Sequence, residues 1–340
     1  MKFCVFGAGA VGGFVGGMVA RSAAKTGAEV SLVARGAHLD AMRRDGLTVE
    51  TPDETFTVRP VATGDAAELG PQDVVFLSAK AWSLGDAAAA MQPLLGPDTV
   101  VVSAQNGIPF WYFHAHGGPL EDRTLQSVDP GGRIAAAIGC DRVVGCVVNS
   151  SNEVVSPGRV RNLGNRVFML GEPDGTHSPR IARIAALLET AGIRAPVSAD
   201  LRMEIWVKLW TSVSFSAISA LTGSTMAPIV AHPELERLGI ALMEEAKAVG
   251  EALGIVFSTP VSDRVSGPRR TSPHKTSILQ DLERGRPMEV DCIAGAVVEL
   301  GRLAGVATPL VDMIYALVRQ RARSAGLYTA TGFDPLTGSA

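Results

Sequence analysis

Between Trp206 and Gly223 the chain carries one charged side chain in eighteen residues, Lys208. Steps of four from it reach Ser212 and Ser216, which on one helix form a narrow stripe of an amine and two hydroxyls. Trp206, Leu209, Trp210, Val213 and Ala217 recur at three- and four-residue steps and make an apolar face. A surface lysine with its stem along apolar neighbours fits this pattern. A solvated face, however, normally holds more charge, and the stripe reads as the wall of a polar cleft. An ammonium there can give a proton to a carbonyl oxygen or stabilise negative charge building on it. Far downstream, "SILQDLERGRPMEVD" offers Ser277 and Glu289, the latter opening an expected helix, where a carboxylate is common.

A second constellation opens the chain. The apolar run "KFCVF" stops at Gly7, and Gly7, Gly9 and Gly12 then make G-x-G-x-x-G at the start of a small-residue helix. After a strand and before a helix, this spacing is a dinucleotide fingerprint. The first glycine permits the turn, the second the approach of a pyrophosphate, and the third close packing of helix on strand. With Ala10, these residues bring an anion to the helix N-terminus, whose free N–H groups and dipole favour it. An NAD site has an acidic residue about 20 positions further on, at the end of the second strand. Here "SLVARG" has no carboxylate and offers Arg35, whose guanidinium matches a 2′-phosphate. The expected cofactor is therefore NADPH/NADP+.

These residues need elements to hold them. Strands are expected at 2–6, 28–35, 73–79, 98–105 and 142–148, with a hairpin pair at 152–172 and one more strand in "RAPVSA". Helices are expected at 84–95, 131–139 and 178–193, the last closing on Gly192. Alternating strands and helices imply a parallel sheet covered on both faces. Lys80 and Asn106 then fall just beyond two strand ends, where open α/β sheets bind ligands. From about residue 200 long helical patterns take over, at 202–221, 234–254, 288–305 and 308–325. The expected class is α/β: a Rossmann-type parallel-sheet domain over 1–199 followed by an all-helical domain over 200–328. A turn-rich, poorly ordered tail is expected over 329–340.

The totals narrow the functions. A net charge of −3 gives no reason to expect nucleic acid or an anionic membrane surface as a partner. No apolar run reaches the ~20 residues of a membrane helix, and the opening strand leaves no room for a signal peptide. Cys4, Cys140, Cys146 and Cys292 are scattered, as suits thiols in a reducing, cytoplasmic setting. His114 and His116 are expected to bind no metal. Arg264, Arg269, Arg270 and Lys275 make a basic loop near Ser277, solvated or drawing in an anionic substrate. "PFWYF" at 109–113 is a packed loop or interface patch, or else a lid over a bulkier substrate.

The chain resembles the ketopantoate reductase (2-dehydropantoate 2-reductase, PanE/ApbA) family. "GAGAVG", "AKAW" at 79–82, "QNGI" at 105–108, "EIWVKLW" at 204–210 and "HKTSILQDLERGRPMEVD" at 274–291 carry the resemblance, in order along nearly the whole chain. The resemblance implies that Lys208 protonates the ketone oxygen while NADPH delivers hydride to the carbon. Glu289 then pairs with the hydroxyl side of the substrate, and Ser277 contacts its carboxylate. Lys80 and Asn106 hold cofactor and substrate, and Arg35 the 2′-phosphate. The family usually has asparagines where this chain has Ser212 and Ser216, and often another where His274 stands. Three functions follow: reduction of ketopantoate to pantoate, the same chemistry on another 2-oxo acid, or an NADP-binding sensor without turnover. A homodimer is compatible with the helical second domain.

Overall fold

The computed structural model describes residues 1–266 and 275–339. Arg269, Arg270 and His274 lie outside them. Two compact units divide the chain: Met1–Gln105, Trp111–Arg123 and Arg133–Leu201 in the first, and Asn106–Phe110, Thr124–Gly132 and Arg202–Ala340 in the second.

The first unit is built on one nine-stranded sheet. Its strands are β1 (Lys2–Phe6), β2 (Glu29–Val33), β3 (Leu47–Glu50), β4 (Thr55–Val58), β5 (Val61–Thr63), β6 (Gln72–Leu77), β7 (Leu95–Ser103), β8 (Val143–Ser156) and β9 (Arg159–Gly171). They lie in the order β4-β3-β9-β8-β7-β6-β1-β2-β5. From β5 to β8 every neighbour pairs in parallel. Strands buried on both faces read as unbroken apolar runs, which is why β1 and β6 are plain in the sequence. The chain runs from β1 outward to β2 and β5, then returns to β6 on the other side. That reversal of strand order makes the C-terminal end of β1 the ligand-binding end of such a sheet.

The remaining strands extend the sheet with two antiparallel pairs, β8 with β9 and β3 with β4, joined by a parallel pairing of β3 with β9. β8 and β9 form one long hairpin turning at residues 157–158, so the pairing begins at Gly145, ahead of the hairpin expected from residue 152. The helix Ala10–Arg21 packs Phe14 against Phe168 of β9, with ring centroids 6.3 Å apart, and Phe168 meets Phe76 of β6 at 6.2 Å. All three rings are fully buried, each contributing about 1.5–3 kcal/mol. The helix Pro179–Thr190 forms as its sequence indicates: Ser178 Oγ accepts from the Ile181 amide, and Gly192 follows at φ +81°.

One expectation fails here. "RAPVSA" makes only isolated bridges, at Arg194 and Val197, because Pro196 between them has no N–H to donate. "PFWYF" is packed, with Phe110, Trp111, Tyr112 and Phe113 all buried. Trp111 Nε1 donates to Ser103 Oγ at 3.0 Å, and its ring lies where a Cβ on Gly145 would sit, 2.4 Å away.

The second unit is helical, with its longest helices at Leu201–Val213, Pro233–Ala252 and Pro309–Ser324. The single helix expected over 202–221 is two, Leu201–Val213 and Phe215–Thr222. At the break Ser214 has φ −98° and ψ −87°, and its Oγ donates to the Trp210 carbonyl at 2.6 Å, a back-bond that bends helices. The helix expected over 288–305 begins as a π-turn, Asp291–Gly295, before Ala296–Ala304.

The expected loose tail is tied down. Asp291, 6% exposed, accepts from Tyr315 Oη at 2.9 Å and from Tyr328 Oη at 3.1 and 3.0 Å. Arg319 stacks over the Tyr315 ring and donates to Asp334 at 2.7 Å. Burial pushes the Asp291 carboxyl above its ordinary value, against the pull of the two tyrosine hydroxyls. The folded protein therefore keeps this proton at a pH where the unfolded chain has lost it. Its contribution is fully present below the ordinary value of about 4 and is lost as pH rises through the folded value. An Asp291→Asn variant has no such proton. Its melting temperature relative to the parent is expected to rise from pH 4 upward and to be flat below; a pH-independent difference would exclude the shift.

Candidate active site

In the first unit the turn after β1 is held from two sides. The amides of Gly7 and Ala8 donate to the Val33 carbonyl at 3.1 and 2.9 Å, and Ser78 Oγ donates to the Gly7 carbonyl at 3.0 Å. These bonds join the turn to the ends of β2 and β6. Gly7, at φ +95°, and Gly12 have no room for a side chain: a Cβ would lie 2.9 Å from the Ala79 amide nitrogen and 2.5 Å from the Gly7 carbonyl oxygen respectively. Gly9 differs. Its backbone is unstrained, and the nearest atom to a Cβ there is 4.0 Å away. The space over Gly9 is open, and no side chain caps the helix that starts at Ala10. An uncapped first turn beside open space fits a pyrophosphate.

Arg35 lies two residues past the end of β2 and is exposed, and its side chain makes no hydrogen bond or ion pair among the described residues. Lys80 is half-buried beyond β6, and its carbonyl accepts from the Ser83 amide and hydroxyl, both at 2.9 Å. Glycine turn, arginine and lysine are thus gathered at one end of the parallel strands, the end at which such sheets bind a dinucleotide.

In the second unit three residues far apart in sequence meet. Lys208 Nζ donates to Asn106 Oδ1 at 2.9 Å, and Asn106 Nδ2 donates to Glu289 Oε2 at 3.2 Å. The amide is thereby oriented at both ends. Glu289 is 5% exposed, and a carboxylate so buried needs such a partner. The loop of Asn106 is fixed by the Ile108 amide, which donates to the Cys292 carbonyl at 2.9 Å. Gly107 makes this approach feasible: its φ is +77°, and a Cβ would stand 2.2 Å from the same carbonyl oxygen. The sequence reading missed Gly107, although an Asn-Gly pair after a strand marks a special turn.

Ser216 does not continue the stripe of Lys208 and Ser212, because the break at Ser214 puts it on the next helix. Each hydroxyl turns to its own backbone, Ser212 Oγ to the Lys208 carbonyl and Ser216 Oγ to that of Thr211, both at 3.4 Å. Ser277 is exposed in the first turn of Ser277–Glu283, and no hydrogen bond links it to the Lys208 cluster among the described residues. Lys275 is held by both carboxylate oxygens of Glu283 at 2.8 Å. Elsewhere the fold brings Glu121 and Asp122 to His114. Glu121 accepts from the amides of Ala115 and Gly117, and Asp122 pairs with the His114 ring at 3.0 Å, so these carboxylates already have partners.

A glycine-rich turn at the switch point of a doubly wound sheet, in a chain whose second unit is helical, is the architecture of a dinucleotide-dependent oxidoreductase. Models of the ketopantoate reductase PanE/ApbA family match residues 3–175, and of its C-terminal domain residues 200–322. A 2-dehydropantoate 2-reductase of Mesorhizobium japonicum is 48% identical over 329 residues, covering 97% of this chain and 100% of the relative. A solved structure ascribed to a ketopantoate reductase of Ralstonia solanacearum is 42% identical at a TM-score of 0.89, covering 96% of this chain and 99% of that one. A PanE/ApbA family ketopantoate reductase from Ralstonia eutropha is 28% identical at a TM-score of 0.82, covering 96% and 100%. The chain belongs to the ketopantoate reductase family, and it is an NAD(P)-dependent oxidoreductase. No helix among the described residues is long and apolar enough to cross a membrane.

Proposed function

We propose that the protein reduces 2-dehydropantoate (ketopantoate) to pantoate with NADPH. The observation that carries this reading is the hydrogen-bonded chain Lys208–Asn106–Glu289. When bound, the nicotinamide supplies the hydride for the ketone carbon. Lys208 gives the proton to the ketone oxygen as negative charge develops there. Asn106 holds the Lys208 ammonium in place, and Glu289 pairs with the substrate hydroxyl. Ser277 takes the substrate carboxylate, and Ser212 and Ser216 face the remainder. Gly7, Gly9, Ala10 and Gly12 receive the pyrophosphate, Arg35 the 2′-phosphate, and Lys80 the cofactor near its reacting end. The reading takes the enzyme as cytoplasmic, and sedimentation tests whether it is a homodimer.

Turnover of ketopantoate, followed by loss of reduced-nicotinamide absorbance, is the direct test. A second reading, reduction of a different 2-oxo acid, is favoured by Ser212 and Ser216, whose hydroxyls already turn to backbone carbonyls. A panel of 2-oxo acids separates the two: ketopantoate turned over more efficiently than every other member supports the first. A better panel member moves the assignment to the second.

Arg35 makes the cofactor choice testable. Hydrogen bonds to a charged group are worth about 1.5–3 kcal/mol, so Arg35→Gln is expected to weaken NADPH binding about 10- to 100-fold. NADH binding should change little. Equal losses for both cofactors would remove the 2′-phosphate role.

A further inference from the structure

Glu289 lies in a stretch that is clasped on both sides by the end of the chain. One residue before it, the Met288 amide donates to the Leu327 carbonyl at 2.9 Å. Two residues after it, the buried Asp291 carboxylate takes the Tyr328 hydroxyl on both oxygens, at 3.1 and 3.0 Å, and the Tyr315 hydroxyl at 2.9 Å. Residues 327 and 328 therefore fix the backbone on either side of Glu289. The clasp is itself anchored: Asp334 receives Arg319 at 2.7 Å and the Leu336 amide at 3.0 Å. Arg319 is 8% exposed and stacks on Tyr315, 4.8 Å from its ring centroid.

We infer that residues 327–334, acting through Tyr328 and Asp291, are a positioning element for Glu289, an inference that rests on the reductase reading given above. Tyr328 and Asp291 are positioning residues and touch no substrate. Their hydrogen bonds hold the turn from which Glu289 reaches Asn106, and Asn106 in turn holds Lys208. Removing the Tyr328 hydroxyl frees one side of that turn while leaving its ring in place. Loss of aim at Glu289 is then transmitted along two hydrogen bonds to the proton donor.

The test is a double-mutant cycle of Tyr328→Phe with Glu289→Gln in the full-length protein, read by kcat and KM for the best 2-oxo acid. Tyr328→Phe is expected to lower kcat/KM about tenfold with NADPH affinity unchanged. The double variant should be no worse than Glu289→Gln alone, since a positioning residue has nothing left to position. The second readout does not need turnover: the side-chain amide resonances of Asn106, identified by their loss in Asn106→Asp. They are expected to move in Tyr328→Phe, in the direction that they move in Glu289→Gln.

Effects that multiply across the cycle, with the Asn106 resonances unmoved, would overturn the inference and leave Tyr328 a packing residue. If the parent reduces no 2-oxo acid, the reductase reading fails by itself and the Asn106 resonances alone decide the positioning role. Should Tyr328→Phe fail to fold, Asp334→Asn loosens the anchor at Arg319 without touching Asp291 and carries the same two outcomes.

Discussion

Lys208→Ala is expected to lower kcat by about a thousandfold while leaving NADPH affinity within about twofold of the parent. Removal of a positioned general acid costs roughly 10² to 10⁴ in rate. Lys208 would lose both the proton and the positive charge that a developing alkoxide requires. Lys208 belongs to the second unit and the glycine turn and Arg35 to the first, so cofactor affinity, measured by nicotinamide fluorescence, should report an intact first unit. A variant that kept a tenth or more of the parent kcat would remove Lys208 from the chemistry. Unchanged kcat with a raised KM would instead make it a substrate-binding residue.

The second large effect comes from a residue with no side chain. Gly107→Ala puts a methyl 2.2 Å from the Cys292 carbonyl oxygen at a backbone φ of +77°, so the loop carrying Asn106 must move. Misplacing a reacting group by about 1 Å costs on the order of 100-fold in rate, and that is the expected fall in kcat. A control separates this displacement from simple backbone strain. Gly305 has a similar φ, +69°, in the left-handed helical region, with nothing within 4 Å of a Cβ. Gly305→Ala should bear only the strain, about 1–2 kcal/mol, and keep its activity. Equal losses in melting temperature and equal, near-parent activities for the two variants would mean that the tight approach at Gly107 has no bearing on the site.

Much of this arrangement is legible without coordinates, for identifiable reasons. The glycine turn and Arg35 are local: one strand, one turn and the next strand end place them, and each of those carries its own signal in apolar runs and glycines. The family motifs also mark Lys208, Asn106 and Glu289 individually. What the sequence does not display is how they meet, because they lie 102 and 183 residues apart and join through single hydrogen bonds. The stripe of Lys208, Ser212 and Ser216 misleads for a related reason. Its four-residue spacing is right for a helix, but one hydroxyl, that of Ser214, bonds backward and breaks the helix in the middle. The tail misleads by composition. "GLYTATGFDPLTGSA" reads as turns, and nothing local says that Tyr328 is to reach Asp291, 37 residues away. β3, β4 and β5 escape notice because they are only three or four residues long, and β4 and β5, half-exposed at the sheet edges, lack the unbroken apolar run of the centre.

The π-turn at Asp291–Gly295 has a consequence for what lengths of chain this site tolerates. Its Gly295 amide reaches back five residues to the Val290 carbonyl, at 3.4 Å, where an α-helix would reach back four. The turn therefore holds one residue more than regular helix needs. Deleting one of the five, Ala294 for example, would let the segment relax into ordinary helix continuous with Ala296–Ala304, and each residue of such a helix is worth about 100° of rotation. Glu289 would swing by that angle about the helix axis, away from Asn106, while every side chain of the site remained present. The direction in which the carboxylate points is thus stored as a residue count, and a single-codon deletion here would leave Lys208, Asn106 and Glu289 in place in the sequence yet be decisive for the geometry.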